Sequence, residues 1–230
     1  MNRPTPKIKT EIRREQITRA ALSLIARRGL NHLNIGALAR EVGVVPSAIY
    51  RHFQGMDGVL ESVLDLISQS LLTNVEAVRR ETPDALEQLH RLLQRHLQLV
   101  RHHAGIPRVI FSEQVFAGNV GRKRRMHTIL RNYLQKVAEI IRSGQDASRI
   151  RKEISPDTVA VMFLGLIQPA VILWLMSNGS FDVVRHAEQA WRLFCGILQS
   201  DGHAGDDAIL NQTNITTKKG HDYATEHKFN

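Results

Sequence analysis

The sequence has a single cysteine, Cys195, so no disulfide can form within the chain. A lone cysteine fits a reducing compartment. The basic stretch Met1–Thr10 has no apolar run and therefore does not resemble a secretory signal. These absences together predict a cytoplasmic protein.

Patterns that carry catalysis or metal binding are also missing. The sequence shows no Gly-rich phosphate loop, no serine elbow and no paired carboxylates. Eleven histidines include His102 and His103, but no His or Cys pair has metal-ligand spacing with supporting carboxylates. The sequence therefore predicts no enzyme activity, no metal and no cofactor.

Alternating runs of β-branched residues are absent, whereas apolar residues recur every three or four positions. This periodicity predicts an all-α protein. The 230 residues suffice for one large domain, or for a small domain joined to a larger one. Residues 201–230 are polar and lack this periodicity, so we expect a disordered tail.

The net charge of +9 is unevenly distributed. Through Gly55 there are ten Lys and Arg against three Asp and Glu. From Met56 to Ser200 the counts are eighteen and fourteen, and the last thirty residues hold three and five. The positive surplus therefore lies at the N-terminal end, as phosphate binding requires, although a solvated basic face is the alternative.

Two short helices joined by a glycine turn are predicted over Asn34–Phe53. Asn34 is a helix N-cap type. Gly43 stands where the first helix must end, and glycine reaches the left-handed region without strain. Pro46 suits the first position of the second helix. This helix–turn–helix geometry delivers a helix into the DNA major groove, whereas an ordinary packed helix pair is the alternative.

The second helix of the motif has a buried and an exposed side. Ile49 and Phe53 form the buried side, and the exposed positions are Ser47, Ala48, Tyr50, Arg51 and His52. Ser47 can hydrogen-bond to a base edge and Ala48 can contact a thymine methyl group. Arg51 can reach a guanine or a phosphate. The candidate DNA-binding residues are Asn34, Pro46, Ser47, Ala48, Tyr50, Arg51 and His52.

Residues 13–60 resemble the N-terminal domain of the TetR family of bacterial transcriptional regulators. The matching residues are Ile17, Ala20, Ala21, Gly29, Ile35, Leu38, Ala39, Gly43, Val44, Tyr50, Arg51, His52 and Phe53. The resemblance implies a three-helix DNA-binding domain over residues 10–56 and a larger helical effector-binding and dimerisation domain over residues 57–200. It also implies phosphate contacts by Tyr50 and His52.

The chain departs from the family pattern at two positions. Val45 replaces the usual Ser or Thr cap of the recognition helix, a loss of about 1 kcal/mol that Pro46 partly offsets. Met56 replaces a usual Lys, so one phosphate contact would be lost and the salt slope reduced by roughly 0.9.

A first helix is predicted from Thr10 to Arg28, with Gly29 as its stop. Basic side chains precede or begin this helix, and they would either follow the phosphates as a flexible arm or form a soluble tail. These residues are Arg3, Lys7, Lys9, Arg13 and Arg14.

Amphipathic helices are predicted throughout the remainder of the chain. Their ranges are Asp57–Arg80, Leu86–Val100, Ile106–Phe116, Met126–Ile141 and Phe181–Leu198, with a loop at Gly118 and Gly121. The run Arg122–Arg125 is either a solvated helix start or a docking surface for an anionic ligand or acidic partner.

The segment Val159–Met176 is apolar apart from Gln168. Its length is close to that of a membrane span, but its central Gln-Pro and its amphipathic flanks favour a helix buried in the core and at a subunit interface. We expect no membrane insertion.

Pro169 is expected to kink this helix by displacing the carbonyl of Gly165. The kink would leave Gln168 and a free carbonyl facing an apolar interior, unless it only helps the helix to pack. The topology that the resemblance implies brings three aromatic residues nearby. The assigned effector-site residues are Phe111, Tyr133, Gln168 and Trp174.

Dimerisation by a four-helix bundle about a twofold axis is implied by the resemblance. The interface residues assigned on the last helix are Ala187, Trp191, Phe194 and Leu198. A dimer also suits a palindromic operator, because two recognition helices must enter grooves roughly 34–36 Å apart.

Three functions remain open on this sequence. The first is a homodimeric repressor that a small, largely apolar effector releases from double-stranded DNA. The second is a DNA-binding protein regulated by a protein partner docked on Arg122–Arg125. The third is an all-α enzyme that uses the cavity, for which the sequence offers no catalytic pair.

Overall fold

The computed structural model describes residues 6–113 and 119–199. These residues form α-helices without a β-strand, so the all-α prediction is confirmed. The helices are α1 (Pro6–Arg28), α2 (Ile35–Val42), α3 (Pro46–Tyr50), α4 (Gly55–Glu81), α5 (Ala85–His102), α6 (Gly105–Ile110), α7 (Val120–Asp146), α8 (Pro156–Met176) and α9 (Val183–Leu198), with a 3-10 turn at Leu30–His32.

Short polar side chains determine where most of the later helices begin. The carboxylate of Asp84 accepts from the amide of Glu87 at 2.9 Å at the start of α5. Asn119, Ser155 and Asp182 cap α7, α8 and α9 in the same way. Each cap satisfies an amide that has no partner within the helix.

The first helix begins earlier than the sequence predicts. It starts at Pro6 rather than Thr10, because proline fits the first helical turn and the following residues continue the helix. Lys7 and Lys9 therefore lie within α1 and not in a flexible arm, while Arg3 lies outside the described residues.

Three other predicted boundaries also shift. Gly121 lies in the first turn of α7 and not in a loop, because Asn119 caps that helix. Helix α9 begins at Val183 rather than Phe181, after the Asp182 cap. Helix α6 ends at Ile110. Gly118, the end of the predicted helix at Phe116 and the tail 201–230 lie outside the described residues.

A single apolar core runs from α1 to α9. Helix α4 packs on α1 at its N-terminal part and on α5 and α7 along its length, so it belongs to both ends of the molecule. Its buried side includes Val59, Val63 and Ile67, each fully enclosed. The position of α4 therefore links the N-terminal helices to the rest of the chain.

Helix α8 buries only one side in a single chain. Phe163, Ile167 and Ala170 are enclosed, whereas Val161 and Leu173 are about half exposed. With a mean hydropathy of 2.3, α8 alone among the described helices is long and apolar enough to cross a membrane, and 39% of its most apolar window is buried.

The interface predicted on α9 lies on the wrong side of that helix. Ala187, Trp191, Phe194 and Leu198 are buried in the core of their own chain. Helix α9 also has apolar side chains on its opposite side, where Val184, Leu193 and Ile197 are exposed. A second subunit can reach only these exposed residues without opening the core.

Candidate functional site

The α2–α3 pair has the local geometry that the sequence predicts. Asn34 caps α2, with its Oδ1 accepting from the amide of Ala37 at 2.9 Å. Gly43 ends the helix in the left-handed conformation with φ 74°. The amide of Val44 then donates to the carbonyl of Ala39 at 2.9 Å, which closes the turn. These contacts fix the angle at which α3 leaves α2.

Helix α3 begins at Pro46 without a side-chain cap. Val45 is extended, with φ −77° and ψ 148°, as the residue before a proline prefers. Ile49 is enclosed, while Ser47 and Tyr50 are exposed. Its exposed side is therefore available to a DNA groove.

Three further candidate residues, Ala48, Arg51 and His52, lie within α3 or directly after it. Phe53 is buried, Arg51 is exposed, and Ala48 and His52 are partly exposed. Because Ala48 is only partly exposed, a base contact by its methyl group needs closer approach than one by Ser47 does. The assigned residues of α3 and those directly after it are therefore accessible or partly accessible, and their base and phosphate contacts stay a prediction.

Arg14 on α1 contacts the residues that directly follow α3. Its guanidinium donates to the carbonyl oxygen of His52 and lies 4.3 Å from the ring centroid of Phe53. A cation over an aromatic face is attracted by the ring quadrupole. The sequence leaves Arg14 either in a flexible arm along the phosphates or in a soluble tail, and only the packing of α1 on the motif reveals this contact.

The ring of His52 lies among cations. Its Nδ1 is buried and has no hydrogen-bond partner in the part of the chain that the structure describes. Burial lowers the pKa of His52, and the charges of Arg51, Arg13 and Arg14 lower it further. A groove lined by Arg13, His52 and neighbouring residues of α1 lies beside it, so the site can accept an anion such as a phosphate.

Met56 packs against the core and is partly buried. Its side chain contributes to the junction between α3 and α4 instead of extending as a lysine would. The phosphate contact that the family pattern places at this position is therefore absent from this residue.

An apolar cavity lies between α4, α5, α6, α7 and α8. It encloses about 40 Å³, room for about one water molecule. Phe111, Tyr133 and Gln168 line it, so three of the four assigned effector residues meet there. Aliphatic side chains complete the wall, among them Ile67, Leu71, Leu99, Ile106, Leu164 and Ile167.

Trp174 does not line this cavity, unlike the other three assigned residues. It lies near the C-terminal end of α8, where its carbonyl accepts from the amide of Gly179 at 2.8 Å. Pro169 and Gly165 are exposed rather than facing the interior. The carbonyl of Gly165 therefore does not supply a polar group to the cavity. Only Gln168 of this segment supplies a polar group there.

A histidine that no sequence motif singles out, His96, also faces the cavity. His96 Nδ1 lies 3.3 Å from the Tyr133 hydroxyl. Burial lowers the pKa of His96 to about 4, and burial raises the pKa of Tyr133, so both groups are uncharged near neutral pH. The pair can donate to or accept from one polar group of a ligand. The spacing of His96 from the buried Leu89, Leu93 and Val100 was the available signal.

The basic run at the start of α7 is partly used within the chain. Arg122 donates to Asp57 at 3.3 Å, and its side chain is 14% exposed. Arg125 pairs with Asp65. Both partners lie on α4, so the run connects α7 to α4, while Lys123 and Arg124 stay exposed. Within the two described segments, no three His, Cys, Asp or Glu side chains cluster as metal ligands.

Comparisons with known proteins match both ends of the chain. Residues 17–63 match the family of bacterial regulatory proteins called the tetR family, and residues 67–197 match the family YsiA-like protein, C-terminal region. The Vibrio vulnificus nucleoid occlusion factor SlmA is 22% identical over 79% of this chain and 93% of its own length.

Two solved structures are similar in fold. The transcriptional regulator FadR from Bacillus subtilis, in complex with stearoyl-CoA, has a TM-score of 0.68 and 21% identity, covering 80% of this chain and 98% of its own. A transcriptional regulator from Saccharomonospora viridis, in complex with choline, has a TM-score of 0.72 and 24% identity, covering 83% and 99%. At these identities the likeness concerns the fold.

Proposed function

Because the chain belongs to the TetR family of bacterial regulatory proteins and is a transcriptional regulator, we propose that it is a homodimeric repressor. In this proposal residues 10–56 bind a palindromic operator, and residues 57–200 bind an effector and a second subunit. The effector is a small, largely apolar molecule, and the protein works in the cytoplasm. The observation that carries the proposal is the apolar cavity with its His96–Tyr133 pair, located in the same fold as an exposed helix–turn–helix.

The effector would act by changing the population of conformers. Ligand pockets have volumes of roughly 300–1,000 Å³, so the cavity of about 40 Å³ must open to accept a ligand. Helix α6 forms one wall and packs on α1. A ligand that displaces α6 would therefore move α1 and its contacts with the recognition helix. Such a ligand binds the displaced conformer better than the DNA-bound conformer, and DNA is released.

The test is a titration of the purified protein with DNA flanking its own gene, with scrambled DNA as the control. We expect two subunits to bind one palindromic site tightly. Replacing Arg51 by alanine should weaken binding and either reduce the salt slope by about 0.9 or relax the preferred sequence at one base pair. The matched control is Arg131→Ala, which removes an exposed arginine from α7.

Equal and purely salt-dependent binding to both DNAs would contradict an operator at this locus. An effector screen follows a positive result, with acyl-CoA esters and free fatty acids of increasing chain length. We expect release of DNA by at least one long-chain compound. If compounds of this series bind the protein but none of them releases the DNA, the release mechanism is contradicted.

A second candidate is regulation by a protein partner. Its support is the similarity to the nucleoid occlusion factor, together with the exposed Lys123 and Arg124. Arg122 and Arg125 already pair with α4, which reduces the charge available for docking. Reversing Lys123 and Arg124 to glutamate distinguishes the two proposals. Loss of regulation in cells with normal effector release in vitro would favour the partner.

A further inference from the structure

An outer groove of about 650 Å³ adjoins the inner cavity. One side of the groove consists of the end of α1 and the 3-10 turn, including Arg28 and His32. The other side consists of α6 and the residues after it, including Arg108 and Glu113. The groove is therefore bounded by the N-terminal helices on one side and by the larger helical part on the other.

The groove and the inner cavity share two wall residues. Pro107 and Phe111 line both spaces. Phe111 is 40% exposed, so it faces both the inner cavity and the solvent-accessible groove. Because Pro107 and Phe111 form the wall between the spaces, a long ligand that occupied both would have to pass Phe111.

The two spaces differ in chemistry. The inner cavity is apolar apart from Gln168 and the His96–Tyr133 pair. In the groove, Arg28 and Arg108 are exposed, and neither forms an ion pair within residues 6–113 and 119–199. Glu113 supplies the carboxylate among the groove's described residues, so the two arginines leave a positive surplus there.

We propose that the effector has an apolar tail, which enters the inner cavity past Phe111, and an anionic head, which Arg28 and Arg108 bind in the outer groove. This inference rests on the proposed effector site. A charged head does not enter an apolar cavity without a large desolvation cost, whereas a guanidinium pairs strongly with carboxylate or phosphate. The head would contact α1 and α6 together, so binding would determine how these two helices lie relative to each other.

Three ligands with the same tail test the proposal on the full chain: decanoate, decanol and decyltrimethylammonium. Calorimetric titration at neutral pH gives their affinities, and release of operator DNA is measured in parallel. We expect decanoate to bind best, about two- to fivefold tighter than decanol, the size of one ion pair at an exposed site. We expect the cationic ligand to bind more weakly than decanol.

Arg28→Gln and Arg108→Gln test the groove directly, because glutamine keeps a polar, hydrogen-bonding side chain without the charge. Each substitution should lower the affinity for decanoate by a similar factor and leave the affinity for decanol unchanged. Arg131→Gln removes an exposed arginine that lies outside both spaces, and it should change neither affinity. Loss of decanol binding in either groove variant would indicate misfolding of the cavity, which circular dichroism and melting curves detect.

The outcomes separate this inference from the proposed repressor function. If all three ligands bind equally and release DNA, the repressor proposal stands and the anionic-head inference is wrong. If decanoate binds in an Arg108-dependent way without releasing DNA, the site is supported and the release mechanism fails. If none of the three binds, the inference is overturned.

Discussion

His52 lies close to three arginines on the proposed DNA-binding surface. Arg13, Arg14 and Arg51 surround its ring, and its pKa is lowered first by burial and then by these charges. The ring is therefore neutral in the free protein at neutral pH. A DNA phosphate brought beside it would favour the charged form and raise its pKa, so complex formation would take up a proton.

DNA affinity should therefore rise as the pH falls from about 8 to about 6, because protonated His52 is favoured only in the complex. His52→Gln should flatten this dependence, measured by fluorescence anisotropy at constant ionic strength. His127→Gln, an exposed histidine on α7, is the matched control and should keep it. A His52→Gln protein with unchanged pH dependence would remove His52 from the phosphate contacts.

Single residues differ in how well the sequence predicts them. Asn34, Gly43 and Pro46 are predictable because capping, positive φ and a helix start depend on the local backbone. Arg14 and His96 are not, because their roles depend on which distant residue packs against them. Features of the local backbone depend on neighbouring residues and can be predicted from them, whereas contacts between helices can be known only from the fold.

Helix α6 is held against α1 by a close backbone approach. A Cβ added at Gly105 would overlap the carbonyl oxygen of Leu22, which belongs to the backbone of α1 and cannot turn aside. Glycine is needed here for space rather than for its dihedral angles. The contact is part of the path by which a filled cavity would act on α1.

Gly105→Ala should therefore lower stability by about 1–3 kcal/mol through overpacking. It should also weaken operator binding, because α6 must move away from α1. The measurements are chemical denaturation and DNA titration at a temperature where the variant is folded. Gly58→Ala is the control, because a Cβ at this helical position would lie at an ordinary contact distance of 3.6 Å from Phe53. This variant should be more stable by about 0.5–1 kcal/mol, since alanine favours a helix over glycine. Equal stability of both variants would contradict the tight α1–α6 approach.

For the helices, the sequence predicts which segments are helical better than it predicts which side of each helix meets another subunit. The α4 helix was predicted within one or two residues at each end, because its apolar spacing and flanking breakers are local. Helix α9 was also predicted, but its interface side was wrong. Its sequence carries apolar residues on two sides, and nothing local tells which side the chain's own core covers.

For the whole molecule, the exposed sides of α8 and α9 hold most of the large apolar side chains that are exposed within residues 6–113 and 119–199. Met162, Leu173 and Met176 are exposed on α8, and Leu193 and Ile197 on α9. The two helices pack on each other, and exposed apolar side chains on adjacent helices are typical of an interaction site. A second copy placed on it would bury four helices together about a twofold axis, as the proposed dimer requires.

Leu193→Glu should convert the dimer to a monomer, because a carboxylate buried in an apolar interface without a partner costs about 3 kcal/mol or more. That cost corresponds to a weakening of subunit association of roughly a hundredfold or more. Analytical ultracentrifugation measures the mass, and DNA titration measures the consequence. A monomer can place only one recognition helix on a palindromic operator. Its affinity for that operator should therefore be lower than that of the dimer.

Val120→Glu is the matched control for this change. Val120 is 74% exposed and Leu193 76% exposed, so both substitutions place a charge on an accessible apolar position. Val120 begins α7, away from the α8–α9 surface, and its variant should remain a dimer with unchanged DNA affinity. If Leu193→Glu stays dimeric, the subunits must meet elsewhere, because Trp191 and Phe194 are already enclosed by their own chain and offer no second surface on α9.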